Sequence, residues 1–347
     1  MLLPGDGIGP EIIKEATKVL EAVASKFGHN FVFTEALIGG IAIDETGTPL
    51  PGKTLVLVDE SDAVLLGAVG GPKWDTTDST KMRPEQGLLG LRKAMNVFAN
   101  VRPVKAYKQL LNASTLKNEV IKDVDLIIVR ELTGGIYFGE KKRTEMSASD
   151  VCSYNIDEID NIIKFAYLIA KGRRKKITSV DKANVLETSR FWRERAKTIF
   201  ELDSSIEYEN MLVDNCAMQL IRNPAQFDVI VTENMFGDIL SDEAAMLTGS
   251  IGMLGSGSFG NEKPALFEPI HGSAPDIAGK NIANPLGTIS SCALMLRSAL
   301  ELDKEADSIE KAIEAALEKG YRTLDIMENK KKQVSTSEMG DMVAELL

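Results

Sequence analysis

The sequence predicts an α/β fold, on three observations. Short β-branched runs alternate with amphipathic helical stretches along the 347 residues. No repeat or low-complexity linker interrupts the alternation. Charged residues stand just past the ends of several apolar runs, where open α/β sheets bind ligands. The length allows one large or two medium domains. Hydrophobic and charged fractions of 44% and 26% are ordinary for a soluble globular chain.

The first element is the opening "MLLPGDGIGPEI", where Gly5, Gly7 and Gly9 crowd together. Met1 to Leu3 remain for a strand, Pro10 suits the first turn of a helix, and Glu11 complements its positive end. Ile12, Ile13, Ala16, Val19, Leu20 and Val23 then recur at helical spacing. The third glycine falls one residue early for the dinucleotide fingerprint. From the motif alone, phosphate cradle and ordinary tight turn both stay open.

Next, "TLVLVDESDAVLLGAVGGP" holds a buried apolar run ending at a glycine-rich turn. "VDLIIVRELTGG" reads as a strand stopping at Arg130. Residues 139–150, "GEKKRTEMSASD", show neither helical nor strand period and read as an exposed arm or loop. "NIDEIDNIIKFAYLIAKG" is a helix with Ile159, Ile162, Ile163, Ala166 and Ile169 on its buried side and Gly172 at its end. The Arg173–Lys176 run after it reads as solvated charge favoured by the helix's negative end. "KITSVDKANVLE" is a strand reaching Asp181 and Lys182, with a helix following. "FDVIVTENMFGDILSD" is strand, loop and helix, and "DSIEKAIEAALEKG" is a structural helix stopped by Gly320. Arg130, Lys182 and the Asp238 helix thus all sit at strand ends, a pattern expected of one shared sheet edge.

A net charge of −11 argues against nucleic acid or an anionic membrane as partner. Cys152, Cys216 and Cys292 are odd in number and widely spaced, which fits a reducing compartment without disulfides or zinc. No apolar run approaches the ~18 residues of a membrane span. The expectation is a soluble, cytoplasmic protein.

The chain has two histidines, and His29, at a turn, is expected to be solvent exposed. A general base is therefore expected among carboxylates, lysines or tyrosines. In "FGDILSD", Asp238 and Asp242 are four apart and share a helix face. Such a pair either holds a hard cation, Mg²⁺ or Mn²⁺, or simply complements the helix dipole. Asp214, before another helical run, could complete a metal site. Arg92, Arg102 and Arg130 supply guanidinium forks suited to a di- or tricarboxylate. Lys182, beside Asp181, and Tyr137, in the glycine-flanked "GGIYFGE", are candidates for proton transfer. "EPIHGSAPDIAGKNIANP", residues 268–285, has the composition of a loop that wraps a nucleotide, with Asp276 able to accept from ribose hydroxyls.

"LPGDGIGPE", "RPEQGLLGLRK", "NVRPV", "VRELTGGIYFGE", "VDKANVLETSR", "FGDILSD" and "HGSAPDIAGKNIANP" occur in the order found in the β-decarboxylating dehydrogenases. The chain resembles that family from end to end. The resemblance implies a two-domain isopropylmalate/isocitrate dehydrogenase-like α/β fold that is not a standard Rossmann fold. Residues 1–98 and 250–347 would form a discontinuous cofactor-binding domain, and 99–249 the second domain with the dimer interface and arm, hinged about a cleft. It implies an NAD-dependent oxidative decarboxylation of 3-isopropylmalate in leucine biosynthesis. Tartrate (or malate), homoisocitrate and isocitrate are the alternative substrates.

By the same resemblance, Arg92, Arg102 and Arg130 would hold the malate carboxylates. Asp238 and Asp242 would hold Mg²⁺ or Mn²⁺ together with Asp214 from a partner subunit, which also places Asp214 beside the substrate. Lys182, also from the partner, would take the hydroxyl proton, and Tyr137 would help protonate the product. That sharing implies a homodimer, with the 139–150 arms paired. His271, Gly272, Ser273, Ala274, Pro275, Asp276, Ile277 and Asn284 would form the NAD site, and the Asp276–Ile277 pair matches the NAD-selective form. Glu85, Leu88, Leu89 and the partner's Val185 would line the pocket for the substrate's branch. Leu88 and Leu89 suit an apolar group and offer nothing to a buried carboxylate. Two departures from the family pattern stand out: a short segment before "LLPGDG", which leaves the first strand little material, and "LGSGS" at 254–258, whose glycines should loosen the approach to the cofactor loop.

Overall fold

The computed structural model describes residues 1–78, 80–262 and 264–347. In chain order its strands are β1 (Leu2–Gly5), β2 (Ala63–Ala68), β3 (Ala99–Lys105), β4 (Asp125–Glu131), β5 (Lys141–Arg143), β6 (Ala148–Asp150), β7 (Lys176–Asp181), β8 (Glu207–Leu212), β9 (Val229–Thr232), β10 (Gly255–Phe259), β11 (Ala265–Pro269), β12 (Tyr321–Arg322) and β13 (Lys332–Gln333). Its helices are α1 (Gly9–Phe27), α2 (Gly40–Thr46), α3 (Gly52–Asp59), α4 (Pro84–Ala94), α5 (Asn118–Ile121), α6 (Ile156–Lys171), α7 (Glu187–Phe200), α8 (Val213–Arg222), α9 (Asn234–Ala245), α10 (Leu286–Ser298), α11 (Asp303–Glu318) and α12 (Thr336–Glu345). Two compact units emerge: one of Met1–Asn96, Tyr107–Thr115 and Thr248–Leu347, the other of Val97–Ala106 and Leu116–Leu247.

In the first unit, β2 is flanked by β1 and β11, both parallel to it, and β10 runs antiparallel to β11. All six residues of β2 are buried, as a strand covered on both faces requires. The α1 stripe expected from the sequence is buried throughout. The long apolar stretch before the glycine turn divides in two. Residues 52–59 form α3, with Thr54 and Val58 inward and Val56 out, and only 63–68 form a strand. A four-residue inward spacing is helical, and the continuous apolar run hid it.

In the second unit the order is β3-β4-β9-β7-β8, with β3 antiparallel to β4 and the other four mutually parallel. Register aligns Arg130 with Thr232, Thr232 with Val180, and Asp181 with Leu212. The carboxyl ends of four strands therefore form one edge, which carries Arg130, Lys182, Asp214 and the start of α9. Behind it, Ile159, Ile162, Ile163 and Ala166 of α6 pack with Trp192, Phe200, Val229 and Val231. Asn155 caps α6 through a reciprocal capping box with Glu158, a motif that contributes about 1 kcal/mol. Ile169 is only half-buried; Ala170 takes the inward position.

Two further sequence expectations need correction, and the exposed 139–150 arm gains detail. His29 is half-buried, with Nε2 2.7 Å from Glu305 Oε1 and its ring stacked on Phe31. Arg173 and Arg174 are not free charge. Arg173 pairs with Asp125 and buried Asp228 at 2.7 and 2.8 Å, and Arg174 donates to the Asp125 carbonyl at 2.9 Å. Together they fasten the starts of β4 and β9. The 139–150 arm contains a two-stranded antiparallel hairpin, β5–β6, whose residues are all exposed. With both faces in solvent, no hydrophobic alternation could announce it.

Candidate active site

At the strand edge of the second unit, α9 begins after Glu233 and presents Asp238 and Asp242 one turn apart. Two arginines reach them from the sheet. Arg130 Nη1 bonds Asp238 Oδ1. Arg102 Nη2 lies 3.6 Å from that same oxygen, and its Nη1 lies 3.2 Å from Asp242 Oδ1. Both guanidinium groups are buried, with side chains 3% and 7% exposed, whereas Asp238 and Asp242 are 36% and 56% exposed. The acids thus face outward over a buried cationic floor.

Neutral groups fix the arginine forks. Arg130 Nε and Nη2 donate to Asn234 Oδ1 at 3.0 and 2.8 Å, and Asn234 Nδ2 donates to the Gly134 carbonyl at 3.2 Å. Arg102 Nε donates to Asn100 Oδ1 and Nη1 to Ser241 Oγ, each at 2.7 Å. Gly237 lets α9 lie directly on Arg130; a Cβ there would sit 2.7 Å from Arg130 Cβ. Asn100, Asn234 and Ser241 were missed from the sequence. Asn100 and Ser241 lie within two residues of a candidate, and nothing local marks them as guanidinium acceptors.

Tyr137 donates its hydroxyl to Asp238 Oδ2 at 2.9 Å, and the Arg130 guanidinium lies 5.6 Å from its ring centre. Burial, with the Asp238 charge next, raises the Tyr137 pKa. Burial also raises Asp242, against the Arg102 charge. The turn that carries Tyr137 needs its glycines: Gly135 has φ +77°, and a Cβ on it would sit 2.4 Å from Tyr154 Oη.

Lys182 and Asp214 form a separate pair, Nζ to Oδ1 at 2.7 Å, and that hydrogen bond holds the Asp214 carboxyl below its usual range. Among the described residues, no three of His, Cys, Asp or Glu are grouped to hold a metal ion. One chain offers a cation the Asp238–Asp242 pair, two hard oxygen donors of the right chemistry, and leaves Asp214 elsewhere. Val185, just after β7, is 60% exposed.

In the first unit, Arg92 of α4 donates from Nη2 to Glu268 Oε1 at 2.7 Å, with both side chains 10% exposed. Arg92 Nε is buried without a partner among the described residues. Glu268 was also missed, although an acid inside the apolar "ALFEP" strand was a usable signal. Glu85 is exposed in the first turn of α4 and Leu88 and Leu89 are half-buried.

The 271–284 loop is built differently. His271 Nδ1 lies 2.9 Å from the Gly272 carbonyl, while Nε2 is buried and unpartnered among the described residues. Burial lowers the imidazole pKa, so the ring is neutral near pH 7. Ser273 is buried, Ala274 has φ +38°, and Gly272, Pro275 and Asp276 are exposed. Ala274 and Ile277 pack on Ile8, Ile12 and Ala283. Asn284 turns inward. Its Nδ2 donates to Asp325 Oδ2 at 3.0 Å and its Oδ1 accepts from Leu286 N at 3.0 Å. The loop therefore offers a nucleotide an unsatisfied imidazole nitrogen, an open carboxylate and free main chain, which fits the expected group.

The model of the isocitrate/isopropylmalate dehydrogenase family matches residues 1–343. The 3-isopropylmalate dehydrogenase of Halalkalibacterium halodurans is 58% identical over all of this chain and 96% of its own length. That of Heyndrickxia coagulans is 57% identical over 100% and 95%. Among solved structures, the isocitrate dehydrogenase of Methylococcus capsulatus superposes with a TM-score of 0.88 at 34% identity, over 99% of this chain and 98% of that one. A β-decarboxylating dehydrogenase from Thermococcus kodakarensis, in its apo form, gives 0.79 at 35% identity over 99% and 94%.

Proposed function

The chain belongs to the isocitrate/isopropylmalate dehydrogenase family, and on that footing we propose that it oxidatively decarboxylates 3-isopropylmalate, with NAD and a divalent cation, to 4-methyl-2-oxopentanoate and CO₂ in leucine biosynthesis. The observation that carries the reading is the charge balance at α9. Arg102 and Arg130 face Asp238 and Asp242, two cations against two anions, in a protein of net charge −11. A dianionic malate enters such a site at low cost only if a divalent cation enters with it. The arginines then turn to the substrate carboxylates, the aspartates to the cation, and the local charge stays at zero.

Arg102 and Arg130, with Arg92, bind and orient the carboxylates. Asp238 and Asp242, with Asp214 of the partner subunit, would hold Mg²⁺ or Mn²⁺. When bound, NAD would supply the hydride acceptor for C2, and the cation would supply counter-charge as carbon dioxide leaves. Lys182 Nζ of the partner subunit takes the substrate's hydroxyl proton. The Lys182–Asp214 pair, Nζ to Oδ1 at 2.7 Å, supports this pooling of the two residues, because their side chains already lie together on one subunit. Tyr137 Oη, held protonated by burial and by Asp238, returns a proton to the product carbon. His271, Gly272, Ser273, Ala274, Pro275, Asp276 and Ile277 receive the nucleotide, and Asn284 contributes main chain, its side chain being engaged inward. Asp276 favours a ribose hydroxyl over a 2′-phosphate by charge alone. Half-buried Leu88 and Leu89, with Glu85 and the partner subunit's Val185, receive the isopropyl branch. A homodimer joined in part through the 139–150 hairpin follows from the shared residues.

The test is NADH formation with 3-isopropylmalate and Mn²⁺, beside isocitrate, tartrate and an EDTA control. Turnover selective for 3-isopropylmalate and abolished by EDTA supports the proposal. Preference for another acid overturns the reading of Leu88 and Leu89.

A further inference from the structure

The opening glycine turn does not have the dinucleotide fingerprint, yet it touches the 271–284 loop at three points. Ile8 N donates to the Ser273 carbonyl at 2.8 Å, and a Cβ on Gly7 would fall 2.0 Å from that same oxygen. Ile8 and Ile12, 4% and 0% exposed, join Ala283 as the apolar floor under Ala274, Ile277 and Ala278. Glu11 Oε1 accepts a hydrogen bond from the Gly279 backbone, 268 residues away. From that geometry we propose that the strand–turn–helix entry is the seat of the nucleotide loop and that Glu11 is a positioning residue for dinucleotide binding. The inference rests on the reading that this loop receives NAD.

Farther along, the loop is clasped by α12. Thr336 N and Oγ1 reach the Asn281 and Ala283 carbonyls at 3.0 and 2.7 Å, and Ser337 N reaches Asn281 Oδ1 at 3.0 Å. Between these clasps and Ser273, residues 274–280 bond otherwise to themselves, through Ile277 N to Ala274 O and Lys280 N to Ile277 O. Glu11 is their one polar tether to another part of the fold among the described residues. Ala274 within the stretch has φ +38°, a backbone state that persists only where its surroundings enforce it. Glu11 itself is costly to keep: Oε2 is buried and unpartnered among the described residues. A half-satisfied carboxylate on a single backbone N–H is poor value for stability alone, and it lies where the expected nucleotide must be held.

The competing role for Glu11 is simple compensation of the α1 dipole. Two substitutions separate them. Glu11→Gln keeps the acceptor oxygen at its reach and discards the charge; Glu11→Asp keeps the charge and withdraws the acceptor by one methylene. NADH affinity by fluorescence, melting temperature, and KM for NAD and for 3-isopropylmalate are measured on the full chain. The expected result is that Glu11→Asp weakens NADH binding and raises KM for NAD about tenfold, the size of one hydrogen bond. Its kcat at saturating NAD and its KM for the hydroxy acid stay unchanged, and Glu11→Gln binds close to wild type. Wild-type binding by Glu11→Asp overturns the proposal, as does a loss in Glu11→Gln alone that follows its melting temperature. If the unaltered protein fails to bind NADH, the cofactor assignment itself falls, and this inference with it.

Discussion

The two candidate regions, the α9 edge and the 271–284 loop, are held in place by opposite means. At the carboxyl edge of β4, β9 and β7, charged side chains hold one another: Arg102 and Arg130 are buried, locked by Asn100, Asn234 and Ser241, and neutralised by Asp238 and Asp242. In the 271–284 loop the backbone is seated by Ser273, Gly279 and Asn281, while the polar groups proposed to meet the nucleotide, His271 Nε2 and Asp276, are left unsatisfied or open. A small, doubly charged substrate needs fixed counter-charges whose own desolvation is already compensated. A dinucleotide, larger and mostly neutral at its adenosine end, needs a shaped main chain instead. Mutations should therefore fail differently in the two regions.

The largest effect is expected from Lys182→Met. Loss of the proposed proton acceptor should lower kcat by about 10²–10⁴-fold and leave NADH affinity unchanged, which a turnover assay beside a binding titration will show. Equal loss of both would erase the division of labour. Next is Arg130→Lys. Lysine lacks the planar fork whose separate nitrogens reach Asn234 and Asp238, so kcat/KM for the hydroxy acid should fall by roughly 10²-fold with KM for NAD little changed. On the loop side, Gly7→Ala places a Cβ against the Ser273 carbonyl at φ +59°. It should raise KM for NAD about tenfold and lower stability by about 1–3 kcal/mol, read by kinetics and chemical denaturation, while the hydroxy acid's KM stays put.

The smallest expected effects are in pH dependence, and they carry opposite signs. His271 in the loop has a pKa lowered by burial, so the folded state binds its proton less readily than the unfolded chain. Its contribution is full above the ordinary imidazole range, about 6.5, and is lost as pH falls below it. Glu233, beside the α9 site, is pushed up to about 7 by burial. It holds its proton more tightly when folded, so its contribution is full in acid and is lost as pH rises through about 7. Below about pH 7, melting temperature against pH should lose a component that rises with pH in His271→Gln and one that falls with pH, between about 4.5 and about 7, in Glu233→Gln. Parallel profiles for the two variants would contradict the burial assigned to one of them.

What the sequence made legible follows the same division. Arg130, Lys182 and Asp238 could be placed because a strand-end residue is visible as the last polar position after an apolar run. Their supports could not: Asn234 and Arg130 are 104 residues apart, and Tyr137 and Asp238 are 101 apart, so only the fold reveals them. The β5–β6 hairpin and α3 were lost for want of a one-sided pattern. The glycines of the opening motif were visible at once, but their reason, a backbone passing close to Ser273, lies at the other end of the chain.

The central claim is that the arginine–aspartate balance at α9 admits a dicarboxylate and a divalent cation only together. Calorimetric titration of 3-isopropylmalate with and without Mn²⁺, and of Mn²⁺ with and without 3-isopropylmalate, tests it most directly. The account predicts that each ligand tightens the other by the same factor, about tenfold or more, since coupling between binding sites is reciprocal. Independent binding of the two would contradict it.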